Sequence, residues 1–254
     1  GHWVTLKHPA RRIVSLAPDV TESLFAVGAG ASVVGVMRGS DYPPAAQKIP
    51  VVAAFDRVDM ERLMRVRPDL VVAWSSGPTL DHMRRLSIPV YVVHAKRLGD
   101  IPRTLRHLGC LAGTERTAER AAKRYENRLT ALKSRYHKEK RIPVFYQVWS
   151  QPLMTVTRAS WVNDLIALCG GRNIFENLGG VAPIINREAV IAQNPAVIVA
   201  SSHRKDWSNS WQRWPVMQAV AQNAFVTLDP DTVDRAGPRL ADGAEALCSA
   251  LWAG

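Results

Sequence analysis

Short β-branched runs alternate along the chain with stretches whose apolar residues recur at helical spacing. RIVSLAP (12–18) reads as a strand that enters a turn at Pro18. TESLFAVGAG is the helix after it, capped by Asp19 or Thr21 and stopped by Gly28 and Gly30. SVVGV predicts a second strand, GSDYPPAAQKIP a loop of turn formers, and VDMERLMRVRPDLVVAW a helix followed by a strand. PTLDHMRRLSI and PVYVVHA add another helix and strand. Alternation at this spacing predicts an α/β fold with a mainly parallel sheet.

From about residue 100 to 140 the pattern changes. After Pro102 no proline interrupts the segment, and Ala121, Tyr125, Leu129 and Leu132 recur at helical spacing. Thr114, after Gly113, is a candidate cap. This predicts about 25 residues of helix, or ~40 Å, longer than a lobe needs. The alternation then resumes. RIPVFYQVW and PLMTVT read as strands, and SWVNDLIALCGG as a helix ending at Gly170 and Gly171. INREAVIAQNPAVIVAS is a helix then a strand, WPVMQAVAQNAF a helix, FVTLDP a strand, and GPRLADGAEALCSALWAG the closing helix. The expectation is two similar Rossmann-like lobes with mainly parallel sheets, bridged by one long α-helix. Their bounds are 1–108 for the first lobe, 109–140 for the connecting helix and 141–254 for the second lobe.

The repeat is sharpest in one unit. Asp59, Glu61 and Pro68 recur 127 residues later as Asn186, Glu188 and Pro195. Asp59 and Asn186 suit N-caps, and a Glu in the first turn complements the helix dipole by about 0.3–1 kcal/mol. Open α/β sheets bind ligands beyond the carboxyl ends of their strands. Two such edges facing one another predict an interlobe cleft for one ligand.

The chain carries 33 Lys and Arg against 22 Asp and Glu, a net charge of +11. Such a balance suggests nucleic acid, but the basic residues gather in RTAERAAKRYENRLTALKSRYHKEKR, mixed with acids and Ala. That is the solvated face of a long helix, and no recognition motif accompanies it. No apolar run is long enough to span a bilayer. The opening GHWVTLKHPA is not a signal peptide, so an exported protein would have lost its leader.

Cys110, Cys169 and Cys248 form no CxxC pair, which argues against structural zinc. They fit either three free buried thiols or, in an oxidising compartment, one pair and a spare. There is no GxSxG and no P-loop, and GAGASV follows a helix where a dinucleotide fingerprint would need a strand. The seven histidines show no HxH or HxxxH spacing. His94, ending PVYVVHA, reads as a structural histidine. No acid–base pair stands out, so the chain reads as a binding protein without a cofactor or catalytic residues. An α/β enzyme acting in the interlobe cleft is the reading from another class.

The order RIVSLAPDVTESLFAVGAG, SDYPPAAQKIP, MERLMRVRPDLVVAW, the long helix, LIALCGGRNIF and NREAVIAQNPAVIVAS resembles the periplasmic substrate-binding proteins of ABC importers. The resemblance runs from about residue 12 to 252 and is nearest the vitamin B12-binding branch. SDYPPAAQKI and LCGGRNIF are the branch-specific stretches, while PDLVVAW is shared with haem- and siderophore-binding relatives. It implies a monomeric periplasmic protein, with its signal peptide removed or lipid-anchored, that delivers a small molecule to a permease at the inner membrane. It implies a disulfide between Cys169 and Cys248, with Cys110 the spare, buried near the start of the connecting helix. It also implies that Glu61 and Glu188, one per lobe, dock against arginines of the permease.

A corrinoid, cobalamin or cobinamide-like, wants aromatic and aliphatic walls with a few polar groups at its edge. The candidate ligand residues are Tyr42, Phe55, Trp74, Trp149 and Met154, with Asp231 and Arg235 in the DTVDRAGPR loop. Arg235 serves equally as a structural partner of Asp231 or Asp234. The B12-binding relatives carry aromatics at the positions of Gly39, Met154 and Ala182, so a corrinoid lacking the lower nucleotide stands beside cobalamin. The alternatives within the class are haem, with Tyr42 as an iron-ligating phenolate, and a siderophore held by Arg235.

Overall fold

A computed structural model describes residues 4–54, 57–75, 77–136, 141–204 and 206–253. The chain forms two compact units, residues 1–95 with 99–126 and residues 96–98 with 127–254.

In the first unit the chain runs β1 (Ile13–Ser15), α1 (Pro18–Ala26), β2 (Val33–Met37), β3 (Val51–Ala54) and β4 (Arg57–Val58). It continues through α2 (Met60–Arg65), β5 (Leu70–Ala73), α3 (Pro78–Arg85), β6 (Val90–Val92) and α4 (Asp100–Ala112). α5 (Glu115–Tyr136) follows, and the boundary between the units falls inside it, after Glu126. The sheet order is β4-β3-β2-β1-β5-β6, parallel except for β4 against β3. β1 and β5 are buried along their whole length, which is why IVS and LVVA read as continuous apolar runs rather than alternating ones. Val14 and Val71 pack with Leu63 of α2 and Met83 of α3 in one core.

The second unit runs β7 (Ile142–Gln147), β8 (Trp149–Ser150), β9 (Leu153–Met154), α6 (Trp161–Leu168), β10 (Gly171–Asn173), α7 (Arg187–Gln193) and β11 (Val197–Ser201). α8 (Gln218–Ala221), β12 (Phe225–Leu228), α9 (Pro230–Val233) and α10 (Leu240–Leu251) complete it. Its parallel sheet has the order β10-β7-β11-β12. The first unit contains the same arrangement as β2-β1-β5-β6, so the repeat is one of topology. Phe145, Val190, Ile198 and Trp211 form the second core. Each such side chain contributes about 1.5–3 kcal/mol when fully buried. Trp211 is enclosed because its indole N–H donates to Gln147 Oε1 at 2.8 Å.

The duplicated helix starts are realised in detail. Asp59 Oδ1 accepts from Arg62 N at 3.0 Å and Asn186 Oδ1 from Ala189 N at 2.8 Å, each cap worth about 1 kcal/mol. Past the helix ends, Arg67 and Asn194 both take left-handed backbone conformations, φ 44° and 43°, before Pro68 and Pro195.

Several expectations are corrected. α1 begins at Pro18, earlier than either proposed cap, because proline suits the first helical turn. Thr21 instead sits inside the helix and bonds Ser15 and Ser40. Thr114 precedes α5, yet its buried hydroxyl has no partner among the described residues. The connecting helix expected over 109–140 is broken at its start: residues 109–112 end α4, Gly113 takes a left-handed conformation as its cap, α5 spans 22 residues, and 137–140 lie outside the described residues. Cys110 is a free thiol, exposed on α4 where burial was expected, because α4 turns Leu105, Leu108 and Ala112 to the core. His94 lies beyond the end of β6 and is exposed, not a core histidine.

Cys169 and Cys248 are bonded and fully buried, tying the end of α6 to α10. Their separation of 79 residues makes the bridge worth about 4–5 kcal/mol by loop-closure entropy. Surface ion pairs hold α5. Arg106 of α4 reaches Glu119 and Glu126, and Arg128 reaches Asp242 and Glu245 of α10. The segment 96–98 is fastened to the second unit by Arg97, whose Nη2 lies 2.6 Å from Asp164 Oδ1. Among the described residues no helix is long and apolar enough to cross a membrane.

Candidate functional site

A parallel sheet collects its loops at the carboxyl ends of its strands, and side chains just past those ends are free to face a ligand. In the first unit Trp74 follows β5 directly and is 57% exposed. Tyr42, in the loop after β2, is 44% exposed. A tryptophan this exposed lies outside the core cluster of its unit and leaves a large apolar face open to solvent. The Tyr42 loop is fixed from below. Thr21 Oγ1 lies 2.8 Å from Ser15 Oγ and 3.0 Å from Ser40 Oγ, joining β1, α1 and the loop through buried hydroxyls. His94 projects from the same sheet edge after β6. Phe55 lies outside the described residues.

In the second unit β8 and β9 form a small antiparallel hairpin that pairs Trp149 with Met154. Met154 also bridges Ile184. Directly opposed residues in antiparallel pairs share a face, so Trp149, Met154 and Ile184 make a row across three segments. Thr157 N donates to Val181 O and Thr155 N to Pro183 O, both at 3.2 Å, which holds the segment 181–184 alongside. Trp149, Val181 and Ile184 are all well exposed. Val181 and Ile184 were missed in the sequence, where GGVAPII shows neither helical nor strand period. Their only signal was a run of aliphatic residues between two glycines and a helix cap.

A polar rim stands at the ends of β11 and β12. Asp229 caps α9, its Oδ1 accepting from Asp231 N at 2.9 Å. Asp231 pairs with Arg235 at 2.7 Å, so the structural role foreseen for that arginine is filled, and the Arg235 side chain is largely buried. Ser201 Oγ donates to Asp234 Oδ2 at 3.0 Å. Donor atoms of His203, Asp229 and Asp231 lie within 4.8 Å of one another. Burial pushes the Asp234 carboxyl above the usual range, and the charges of Asp231 and Asp229 push the same way, against the Ser201 hydrogen bond and His203. Tyr146, beneath, is raised by burial and then by Asp234.

Glu61 and Glu188 are exposed in the first turns of α2 and α7. Glu61 Oε1 accepts from Arg65 Nη2 at 2.6 Å.

The geometry thus gives each unit an exposed aromatic at the carboxyl edge of its sheet, and the second unit a polar rim. Residues 13–232 match the family described as periplasmic binding protein. The vitamin B12-binding protein of Pectobacterium atrosepticum is 33% identical over 95% of this chain and 88% of its own length. The crystal structure of the periplasmic vitamin B12 binding protein BtuF of Vibrio cholerae is 32% identical, with a TM-score of 0.85 over 96% of this chain and 97% of that one. The periplasmic haem-binding protein RhuT from Roseiflexus is similar at 25% identity, with a TM-score of 0.83 over 96% and 98%.

Proposed function

The chain belongs to the periplasmic binding protein family, and on that premise we propose that it is the substrate-binding component of an ABC importer for a corrinoid. It does no chemistry. It captures a cobalamin or cobinamide-like macrocycle against the carboxyl edges of its sheets and hands it to an inner-membrane permease. The observation that carries this reading is the placement of Trp74 and Trp149, one in each unit, exposed past the ends of parallel strands. A corrin ring is broad and apolar on its faces, and indoles are the side chains that bury most area against such a face. In the first unit Tyr42 adds a second exposed aromatic; in the second, Met154, Val181 and Ile184 extend the row of Trp149, and Asp231 and Arg235 are that unit's polar candidates. The B12-binding relatives, similar over most of this chain, support the ligand class.

Glu61 and Glu188 are the permease-docking residues in this reading. Exposed carboxylates in first helical turns are placed to receive arginines, which bind carboxylates with two parallel hydrogen bonds.

The test is a titration of the purified chain with cyanocobalamin, dicyanocobinamide and haemin, followed by absorbance and calorimetry. Tight binding of either corrinoid and weak binding of haemin is expected. Preferential haemin binding, with a phenolate-type band that Tyr42→Phe abolishes, would replace the corrinoid with haem.

A further inference from the structure

The charges of α5 are sorted around the helix. Arg116, Arg120, Lys123 and Arg124 follow one another at i, i+4, i+7 and i+8, and all four are exposed. They make one stripe about 12 Å long. Glu115, Glu119 and Glu126 lie to one side of it, and two of these are drawn toward α4. Arg106 Nε stands 2.7 Å from Glu119 Oε2, and its Nη1 2.8 Å from Glu126 Oε1. Ala118, Ala122 and Tyr125 form the buried side. The cations are left with little to neutralise them. Among the described residues Arg116 and Arg124 form no ion pair. Arg120 donates to the Thr117 hydroxyl at 3.3 Å, and Lys123 lies 3.6 Å from a Glu119 that Arg106 already holds. Like charges four residues apart repel, and a cation in the first turn opposes the helix dipole. The stripe therefore weakens the helix that carries it, so packing of α5 does not account for it.

Its place in the first unit is defined. The chain crosses the sheet one way through α1, from β1 to β2, and the other way through α2 and α3, to β5 and then β6. Right-handed crossovers put α1 on one face of the sheet and α2 with α3 on the other. α4 packs on α1. The start of α5 rests against both, with Thr117 beside Gly28 and Ala118 beside Gly109. The stripe thus lies on the α1 and α4 side, while Glu61 lies on α2 across the sheet.

We infer that this stripe is a docking surface for an anionic phospholipid bilayer, its four cations set against headgroup phosphates. A convex helix face spreads its charges outward, which suits many phosphates laid in a plane and not one phosphate in a pocket. Protein interfaces centre on apolar and aromatic side chains, and stacking surfaces for nucleic acid need aromatics. The stripe has neither, and its next exposed neighbour is Asn127. Adsorption through it leaves the α2 face of the unit uncovered.

The experiment is cosedimentation of the full chain with vesicles of equimolar phosphatidylcholine and phosphatidylglycerol, at low and high salt, beside vesicles of phosphatidylcholine alone. Binding to the anionic vesicles at low salt, lost at high salt, is expected. Each basic residue at such a surface strengthens partitioning about fivefold. The variant R116Q/R120Q/K123Q/R124Q is expected to bind at least about a hundredfold more weakly. Gln is nearly as good a helix former as Arg or Lys, and matching circular dichroism and melting temperature would show α5 intact. The control K48Q/R57Q/R172Q/R213Q removes as many exposed cations from elsewhere and is expected to retain most of the binding. Equal losses in the two variants would assign adsorption to net charge and overturn the stripe. Absence of binding to anionic vesicles by the wild-type chain overturns the proposal. Binding of polyglutamate or polyphosphate without vesicle binding overturns it too, and gives the stripe to a soluble polyanion.

Discussion

The Arg187 guanidinium stands 5.4 Å from the ring centre of Trp211 and donates to Ser210 O at 3.1 Å. It also lies 5.2 Å from the Trp214 ring. The basic residue next to Glu188 is thus fastened toward the interior of its unit by cation–π attraction and a hydrogen bond. Position 192, which corresponds to Arg65 in the repeat, is alanine. Among the described residues no basic side chain forms an ion pair with Glu188, whereas Glu61 is paired with Arg65.

That contrast makes the two proposed docking sites unequal. Glu61 must leave Arg65 before it can receive a permease arginine, while Glu188 need not. Reversing Glu188 to Lys is expected to lower ligand-stimulated ATP hydrolysis by the reconstituted transporter more than reversing Glu61. Arg65→Ala should strengthen docking about twofold, the size of one exposed helical ion pair. Corrinoid affinity, measured by calorimetry, should stay unchanged in all three variants. A loss of affinity in any of them would remove these glutamates from a docking role.

The exposed indoles carry the ligand reading. Trp74→Ala and Trp149→Ala are each expected to weaken corrinoid binding about tenfold or more, as for aromatic anchors generally. Thermal stability should hardly move, because neither ring is packed in a core. Comparing the absorbance titration with the melting curve separates the two effects.

Asp234 gives stability a pH dependence of defined sign. Its carboxyl titrates higher in the folded chain than in the unfolded one, chiefly through burial. The folded state then holds the proton more tightly. Its contribution is fully present below the unfolded value of about 4 and is lost as pH rises through the folded value. Asp234→Asn, which cannot ionise, is expected to melt higher than wild type at neutral pH, with the difference closing as pH falls below about 4. Melting curves across this range check it, and a difference that widened toward acid would contradict the burial argument.

The paired left-handed residues respond differently to substitution. Asn tolerates such backbone better than most side chains, and Asn194 Oδ1 also accepts from Gln218 N at 2.7 Å. Asn194→Ala should therefore cost about 1–2 kcal/mol, from strain and a lost hydrogen bond. Arg67 adopts the same conformation with a long side chain, so Arg67→Asn should be neutral or slightly stabilising. Chemical denaturation of the two variants decides the matter.

Much of this was legible in the residues because the relevant signals are local. Continuous apolar runs marked buried parallel strands, and Asp59 and Asn186 marked helix starts whose hydrogen bonds the structure contains. Trp74 was legible as exposed because it follows four buried strand residues with no apolar neighbour after it. What was not legible depends on residues far apart in sequence. The row from Trp149 through Met154 to Ile184 exists because the segment 181–184 lies beside a hairpin some thirty residues earlier. His203 joins Asp229 and Asp231 only because β11 and β12 are neighbours in the sheet. The exposure of Cys110 depended on which face α4 turns inward, and its spacing alone did not decide that.

The fastening of Arg97 by Asp164 bears on how this chain can be divided. The backbone passes from one unit to the other at residues 95–96, 98–99 and 126–127, so neither unit is a contiguous stretch. A fragment beginning at residue 127 would contain the whole β10-β7-β11-β12 sheet, yet it would lack Arg97 and the buried Leu98. Asp164, mostly shielded from solvent, would lose the guanidinium it is paired with. Despite their shared ancestry of pattern, the halves are not interchangeable cassettes, and shuffling them between homologues would have to carry this three-residue splice along.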